Sequence, residues 1–81
     1  MPTAHTERIE RIRALVRRIV DAGTAGADWK DLTSWDMRTF EVGMKTATDD
    51  LTAITVSTHY ATSRVGRVTA TDEGRRYVGG T

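Results

Sequence analysis

The residue types that usually perform catalysis are present in this chain, but their spacing assembles no catalytic site. The serines lack a neighbouring motif that would activate a hydroxyl nucleophile; they are Ser34, Ser57 and Ser63. The adjacent pair Asp49-Asp50 would point in different directions from a helix, and His59 lies in a run with strand character. An enzyme that uses a side-chain nucleophile needs a general base close to it and a further group that orients the base. We therefore expect no enzymatic activity.

Composition excludes several further classes of function. The chain has no cysteine, which rules out thiol catalysis, disulfides and cysteine-based zinc sites, and its two histidines cannot complete a four-ligand site. We expect no metal and no cofactor. With 81 residues, 38% of them hydrophobic, the chain predicts a single small domain over residues 1–81. No membrane span or signal peptide is evident, so we expect a cytoplasmic protein.

The formal net charge of +1 conceals an uneven distribution along the chain. Residues 1–20 carry +3, residues 21–50 carry −4 and residues 51–81 carry +2. One interpretation is that these charges lie on solvated helix faces. The other is that the two basic ends meet in space and face a polyanion.

Apolar residues at three- and four-residue spacing predict three helices, at about 7–22, 28–34 and 37–51. Thr6, Asp28 and Asp36 are the expected N-terminal caps of these helices. The third helix is predicted from an apolar stripe that comprises Met37, Phe40, Met44, Ala47 and Leu51. Trp29 and Trp35 are expected to anchor the core, because aromatic side chains offer the largest apolar surface to a small domain.

The pattern changes after residue 52. Residues 53–60 are rich in β-branched side chains on alternate positions, which predicts a strand, and residues 65–70 predict the returning strand of a hairpin over about 53–70. Thr71 is the expected cap of a final short helix over about 72–78. The predicted class is therefore α+β.

The order of these elements resembles a winged helix-turn-helix domain of bacterial or phage regulators. That family has a three-helix core, a β-hairpin wing and a short C-terminal helix. Many members carry a Leu-Thr-x-x-Gly-Arg-x-x-Leu pattern after the wing, and Thr71, Gly74, Arg75 and Val78 match its spacing, while Ala70 stands where leucine is usual. The motif covers about a dozen residues, and the order of elements covers nearly the whole chain.

The resemblance implies a protein that binds duplex DNA, as a transcriptional regulator or a recombination accessory factor, with its third helix in the major groove. The implied base contacts come from that helix; they are Arg38, Thr39, Val42, Lys45 and Thr46. The implied phosphate contacts come from the wing; they are His59, Arg64 and Arg67. A homodimer is also expected, since two half-sites would strengthen recognition by so small a unit.

The predicted reading helix also carries Glu41, Asp49 and Asp50, which DNA phosphates would repel. The alternative function is therefore a protein–protein interaction module on the same fold, with the acidic segment 28–50 as its binding face. A third interpretation is a purely structural homodimer that pairs hairpins or first helices.

Overall fold

The computed structural model describes residues 3–79, and within them the chain forms an α+β fold. The elements are four α-helices and a three-stranded antiparallel sheet. In chain order the elements are α1 (Ala4–Asp21), β1 (Ala27–Asp28), α2 (Trp29–Phe40), α3 (Met44–Thr52), β2 (Ala61–Arg64), β3 (Arg67–Ala70) and α4 (Asp72–Gly79). The outer ends of the predicted span 1–81, residues 1–2 and 80–81, lie outside the described residues.

The first helix begins earlier than predicted. Thr3, not Thr6, is the N-terminal cap: its side chain accepts a hydrogen bond of 3.1 Å from the backbone N–H of Thr6. The helix ends at Asp21, and Gly23 then adopts a positive φ of 66° that opens a 3₁₀ turn. Its predicted apolar stripe is buried at Leu15, Val16 and Ile19.

The predicted boundary between the second and third helices is wrong. Helix α2 continues through residues 35–36 to Phe40, and the break comes at residues 41–43 instead. Glu41 adopts the left-handed conformation, with φ 56° and ψ 47°, which ends α2. Gly43 is extended and caps α3. Apolar residues recur at helical spacing on both sides of this turn, so periodicity alone predicts one continuous helix across it.

Asp28 caps α2 as predicted, through a 2.9 Å hydrogen bond from the backbone N–H of Lys30. Asp36 does not cap a helix. It lies inside α2 and is completely buried.

The predicted strand over 53–60 is also wrong. Residues 53–57 extend α3 as a π-helical turn, in which the N–H of Thr58 donates to the carbonyl of Ala53 at 2.9 Å. Threonine hydroxyls bond back to helix carbonyls, as in the 3.0 Å bond from Thr55 to Leu51. Ile54 is fully buried and continues the apolar face of α3. Tertiary burial thus overrides the strand preference of this β-branched run.

The hairpin is shorter than predicted, because β2 and β3 occupy only residues 61–70. Arg64 pairs with Arg67 across a two-residue turn, in which Val65 and Gly66 both have positive φ, 51° and 79°. Such turns match the twist of the flanking strands. Strand β3 lies in the centre of the sheet, since the order is β1-β3-β2.

Strand β1 fixes the hairpin tip to the start of α2. Asp28 pairs with Arg67, and the N–H of Trp29 donates to the carbonyl of Gly66 at 2.7 Å. The core lies between the helices and the sheet; its fully buried side chains include Leu15, Val16, Ile19, Leu32, Leu51, Ile54, Ala61 and Val68. Trp29 and Trp35 are half-buried against this core.

The last helix lies close to its predicted bounds, and Thr71 caps it as expected. The Thr71 hydroxyl accepts from the N–H of Gly74 at 3.1 Å and donates to the carbonyl of His59 at 2.6 Å. Gly74 packs against Tyr60 so closely that a Cβ atom would overlap the Tyr60 carbonyl oxygen. This close approach explains the glycine in the Thr-x-x-Gly pattern.

Helix α4 packs against α1, so the two basic ends of the chain do meet. The Tyr77 ring stacks on the Tyr60 ring with 4.2 Å between centroids, and the Arg13 guanidinium lies 5.0 Å from the Tyr77 centroid. Arg17 also donates a 3.0 Å hydrogen bond to the carbonyl of Val78.

Candidate nucleic-acid interface

The five predicted base-reading residues do not lie on one helix. Arg38 and Thr39 are exposed on the last turns of α2, and Val42 is half-buried in the turn between the helices. Lys45 and Thr46 belong to α3, but only Lys45 is on its outer face. Thr46 is half-buried beside the α1 residues Arg8 and Arg11.

Helix α3 presents one continuous outer face to solvent. Ala47, Asp50 and Leu51 point into the protein, so the residues on the opposite side of the helix are exposed. The outer face of α3 comprises Met44, Lys45, Thr48, Asp49, Thr52 and, on the π-helical extension, Val56. Sequence reasoning missed Met44, Thr48, Thr52 and Val56. Met44 is predicted in the buried apolar stripe, but it is 68% exposed, so the outer face of α3 includes the Met44 side of the helix.

The hairpin places two arginines at its tip. Arg64 and Arg67 face each other in the strand register and are exposed; within residues 3–79 neither forms an ion pair. Between them the side chain of Val65 is fully exposed. A β-branched residue with positive φ is strained by roughly 1–3 kcal/mol. Both predicted wing arginines are therefore accessible to an anion.

His59 is not part of the hairpin, contrary to prediction. It lies in the connection between the π-helical turn and β2, with a positive φ of 57°, and its side chain is exposed. Its carbonyl accepts the hydrogen bond from Thr71. The role of this residue in the structure is to turn the chain.

A buried cluster removes one carboxylate from the outer face of α3. Asp50, which is 1% exposed, accepts a 2.7 Å hydrogen bond from Nε of Arg11 on α1. This bond raises the pKa of the Arg11 guanidinium above its ordinary value. Asp50 therefore ties α3 to α1 instead of facing solvent.

Asp36 completes this cluster from α2. Burial in the protein interior, followed by the influence of the neighbouring Asp50 carboxylate, raises the pKa of Asp36 from 3.8 to about 7. Neither of its carboxyl oxygens accepts a hydrogen bond from any group among the described residues. A buried carboxyl without a hydrogen-bond donor is an environment that disfavours the charged form.

The other two carboxylates assigned to the reading helix also change position. Glu41 is not on α3 but in the turn that precedes it. Asp49 remains on the outer face, where its Oδ2 atom lies 3.1 Å from Nζ of Lys45. The outer face of α3 therefore carries one cation and one anion, next to threonine and apolar side chains.

A separate open groove runs between α1 and α2. Its lining combines apolar side chains with arginines and one carboxylate; the residues are Ala14, Arg17, Arg18, Asp21, Ala22, Ala27 and Trp35. The Arg18 guanidinium lies 5.0 Å from the centroid of a Trp35 ring. This stacking already occupies the face of the tryptophan.

Residues 3–79 contain no group of three or more acidic or histidine side chains that could hold a metal ion. Within the same range, no helix is both long and apolar enough to cross a membrane. Comparison of the chain with protein-family models, with curated proteins and with solved structures found no match.

Proposed function

We propose that this protein binds duplex DNA, with the outer face of α3 in the major groove and the β2–β3 hairpin on the adjoining backbone. The observation that carries the proposal is the burial of Asp50 against Arg11. Together with the position of Glu41 outside α3, it leaves a near-neutral outer face that phosphates would not repel.

The architecture supports this proposal in a second way. Helices α2 and α3 pack together across a short turn, and the hairpin follows them. The base of the hairpin contacts the π-helical extension of α3, and its tip is hydrogen-bonded to Trp29 at the start of α2. The hairpin that carries Arg64 and Arg67 is thereby attached both to the extension of α3 and to the start of α2. The order β1-β3-β2 and the C-terminal helix also suit the winged-helix layout that the sequence resembles.

In the proposed complex the two surfaces have different tasks. Arg64 and Arg67 pair with phosphates and supply affinity that depends on salt but not on sequence. Thr48 and Thr52 offer hydroxyl and methyl groups to base edges, and Met44 offers an apolar surface to thymine methyl groups. A role as a regulator or recombination accessory factor, and a homodimer that reads two half-sites, belong to the same proposal.

The protein-interaction alternative has less support from this structure. It depended on the acidic segment 28–50, but Asp36 and Asp50 are buried and Asp49 pairs with Lys45. The acidic surface available to a partner is correspondingly smaller than the sequence indicated.

Binding to a fluorescent mixed-sequence duplex at low salt tests the proposal. Thr48→Glu places a carboxylate on the outer face of α3 and should weaken binding roughly 10-fold or more. Thr24→Glu makes the same charge change at an exposed residue of the turn after α1 and should have a much smaller effect. Absence of duplex binding by the wild-type protein, or equal losses in both variants, would contradict the proposal.

A further inference from the structure

The ion pair between Lys45 and Asp49 on α3 is not explained by helix stability. Both side chains are well exposed, Lys45 at 90% and Asp49 at 59%, and such pairs contribute little. Their order is also the less favourable one, since a cation that precedes its anion by four residues opposes the helix dipole. Lys45 is the second residue of α3, and the first turn contains no acidic residue.

The geometry of this pair matches the major-groove edge of a G·C base pair. That edge presents the O6 and N7 acceptors of guanine beside the N4 amino donor of cytosine. The guanine O6 and cytosine N4 atoms are themselves hydrogen-bonded, at a separation of about 2.9 Å. Nζ of Lys45 and Oδ2 of Asp49 lie 3.1 Å apart, with the donor and acceptor roles reversed.

We propose, on the basis of the DNA-binding function proposed above, that Lys45 and Asp49 together read one G·C base pair. Lys45 donates to O6 and N7 of guanine, while Asp49 accepts from the N4 amino group of the paired cytosine. An A·T pair also presents a donor beside an acceptor, adenine N6 and thymine O4. It is nevertheless a poorer partner, because its acceptors, adenine N7 and thymine O4, are separated by that donor and the ammonium cannot reach two adjacent acceptors as it can on guanine.

This arrangement gives the remaining acidic residue on the outer face of α3 a function. An unpaired carboxylate in the major groove would be repelled by phosphates, but Lys45 neutralises Asp49 in the free protein. In the complex the pair exchanges its internal contact for two contacts of the same polarity with the base pair. Asp49, whose negative charge alone would disfavour DNA binding, thus becomes a determinant of sequence preference.

Selection of binding sites by the full chain from a random duplex pool, followed by affinity measurements on the selected duplex, tests this inference. We expect one G·C position whose replacement by A·T weakens wild-type binding roughly 5- to 100-fold. Asp49→Ala should lose most of this discrimination, although it removes a negative charge and need not lose affinity. Asp31→Ala, which makes the same charge change at an exposed position of α2, should retain it.

The outcomes separate the two proposals. Duplex binding with no G·C preference, or with a preference that Asp49→Ala leaves intact, would overturn the reading by this pair and leave DNA binding standing. No duplex binding by the wild-type protein would overturn both. A preference lost equally in Asp31→Ala would show a general charge effect and would also overturn the reading by this pair.

Discussion

The buried carboxyl of Asp36 makes the stability of the fold depend on pH, and Asp36→Asn should remove that dependence. The pKa of Asp36 is raised from 3.8 to about 7 because the side chain is buried and lies close to the Asp50 carboxylate. Between these values the folded chain binds a proton that the unfolded chain has released. Rising pH therefore lowers the free energy of unfolding.

The size of the effect follows from this difference in proton affinity. Each tenfold difference in proton affinity between the folded and unfolded chains corresponds to about 1.4 kcal/mol. Ionisation of Asp36 should therefore lower the free energy of unfolding by up to about 4 kcal/mol as pH rises from about 4 to about 7. A domain of this size has a total stability of roughly 5–15 kcal/mol. The wild-type protein should thus be markedly less stable at neutral than at mildly acidic pH.

Urea denaturation of the wild-type protein and two variants over this pH range measures the effect. Asp36→Asn keeps a neutral donor next to Asp50 and should be stabilised relative to wild type, by an amount that grows with pH. Asp31→Asn, an exposed change on the same helix, should give a profile parallel to wild type. A constant difference between Asp36→Asn and wild type at every pH would refute the reasoning.

Two further substitutions test the backbone conformations in the fold. Gly74→Ala should lower the free energy of unfolding, measured in urea, by roughly 2–4 kcal/mol, because its Cβ would overlap the Tyr60 carbonyl oxygen, although alanine normally favours a helix. The control Gly43→Ser, at an open N-terminal cap, should cause no loss of stability. An equal effect of the two changes would contradict the close packing. Val65→Asn should raise the free energy of unfolding by about 1 kcal/mol, since asparagine tolerates positive φ, and a destabilised variant would contradict the turn geometry.

The elements that could be predicted from the sequence are those whose signals are local. Helix α1 has a regular apolar stripe, and α4 has a capping threonine followed by two acidic residues in its first turn. The pairing of the two-residue strand β1 with β3 depends on contacts about 40 residues apart, so it leaves no local pattern.

The errors arose where tertiary contacts override local preference. The left-handed Glu41 interrupts a periodic stripe that continues on the next helix, and the burial of Ile54 keeps a β-branched run helical. The preference of aspartate for helix N-termini predicts Asp36 as a cap, whereas it lies buried inside α2 and close to Asp50 of α3. Such a pair cannot be recognised before the helices are placed.

The candidate site also contains residues that the sequence predicts correctly and residues that it predicts on the wrong element. Arg64, Arg67 and Lys45 were identified from residue type and position, and all three are exposed on the proposed interface. The sequence pattern predicts Arg38 and Thr39 on the third helix, but they lie on α2, because α3 begins at Met44.

The salt dependence of duplex binding tests the central claim most directly. If Arg64 and Arg67 each neutralise a phosphate, the logarithm of the association constant should fall linearly with the logarithm of salt concentration. The double variant Arg64→Ala/Arg67→Ala should reduce the magnitude of that slope by about 2. Arg76→Ala, on a helix that packs against α1, should leave it unchanged. A wild-type slope near zero, or a slope that the double variant does not alter, would contradict DNA binding through this hairpin.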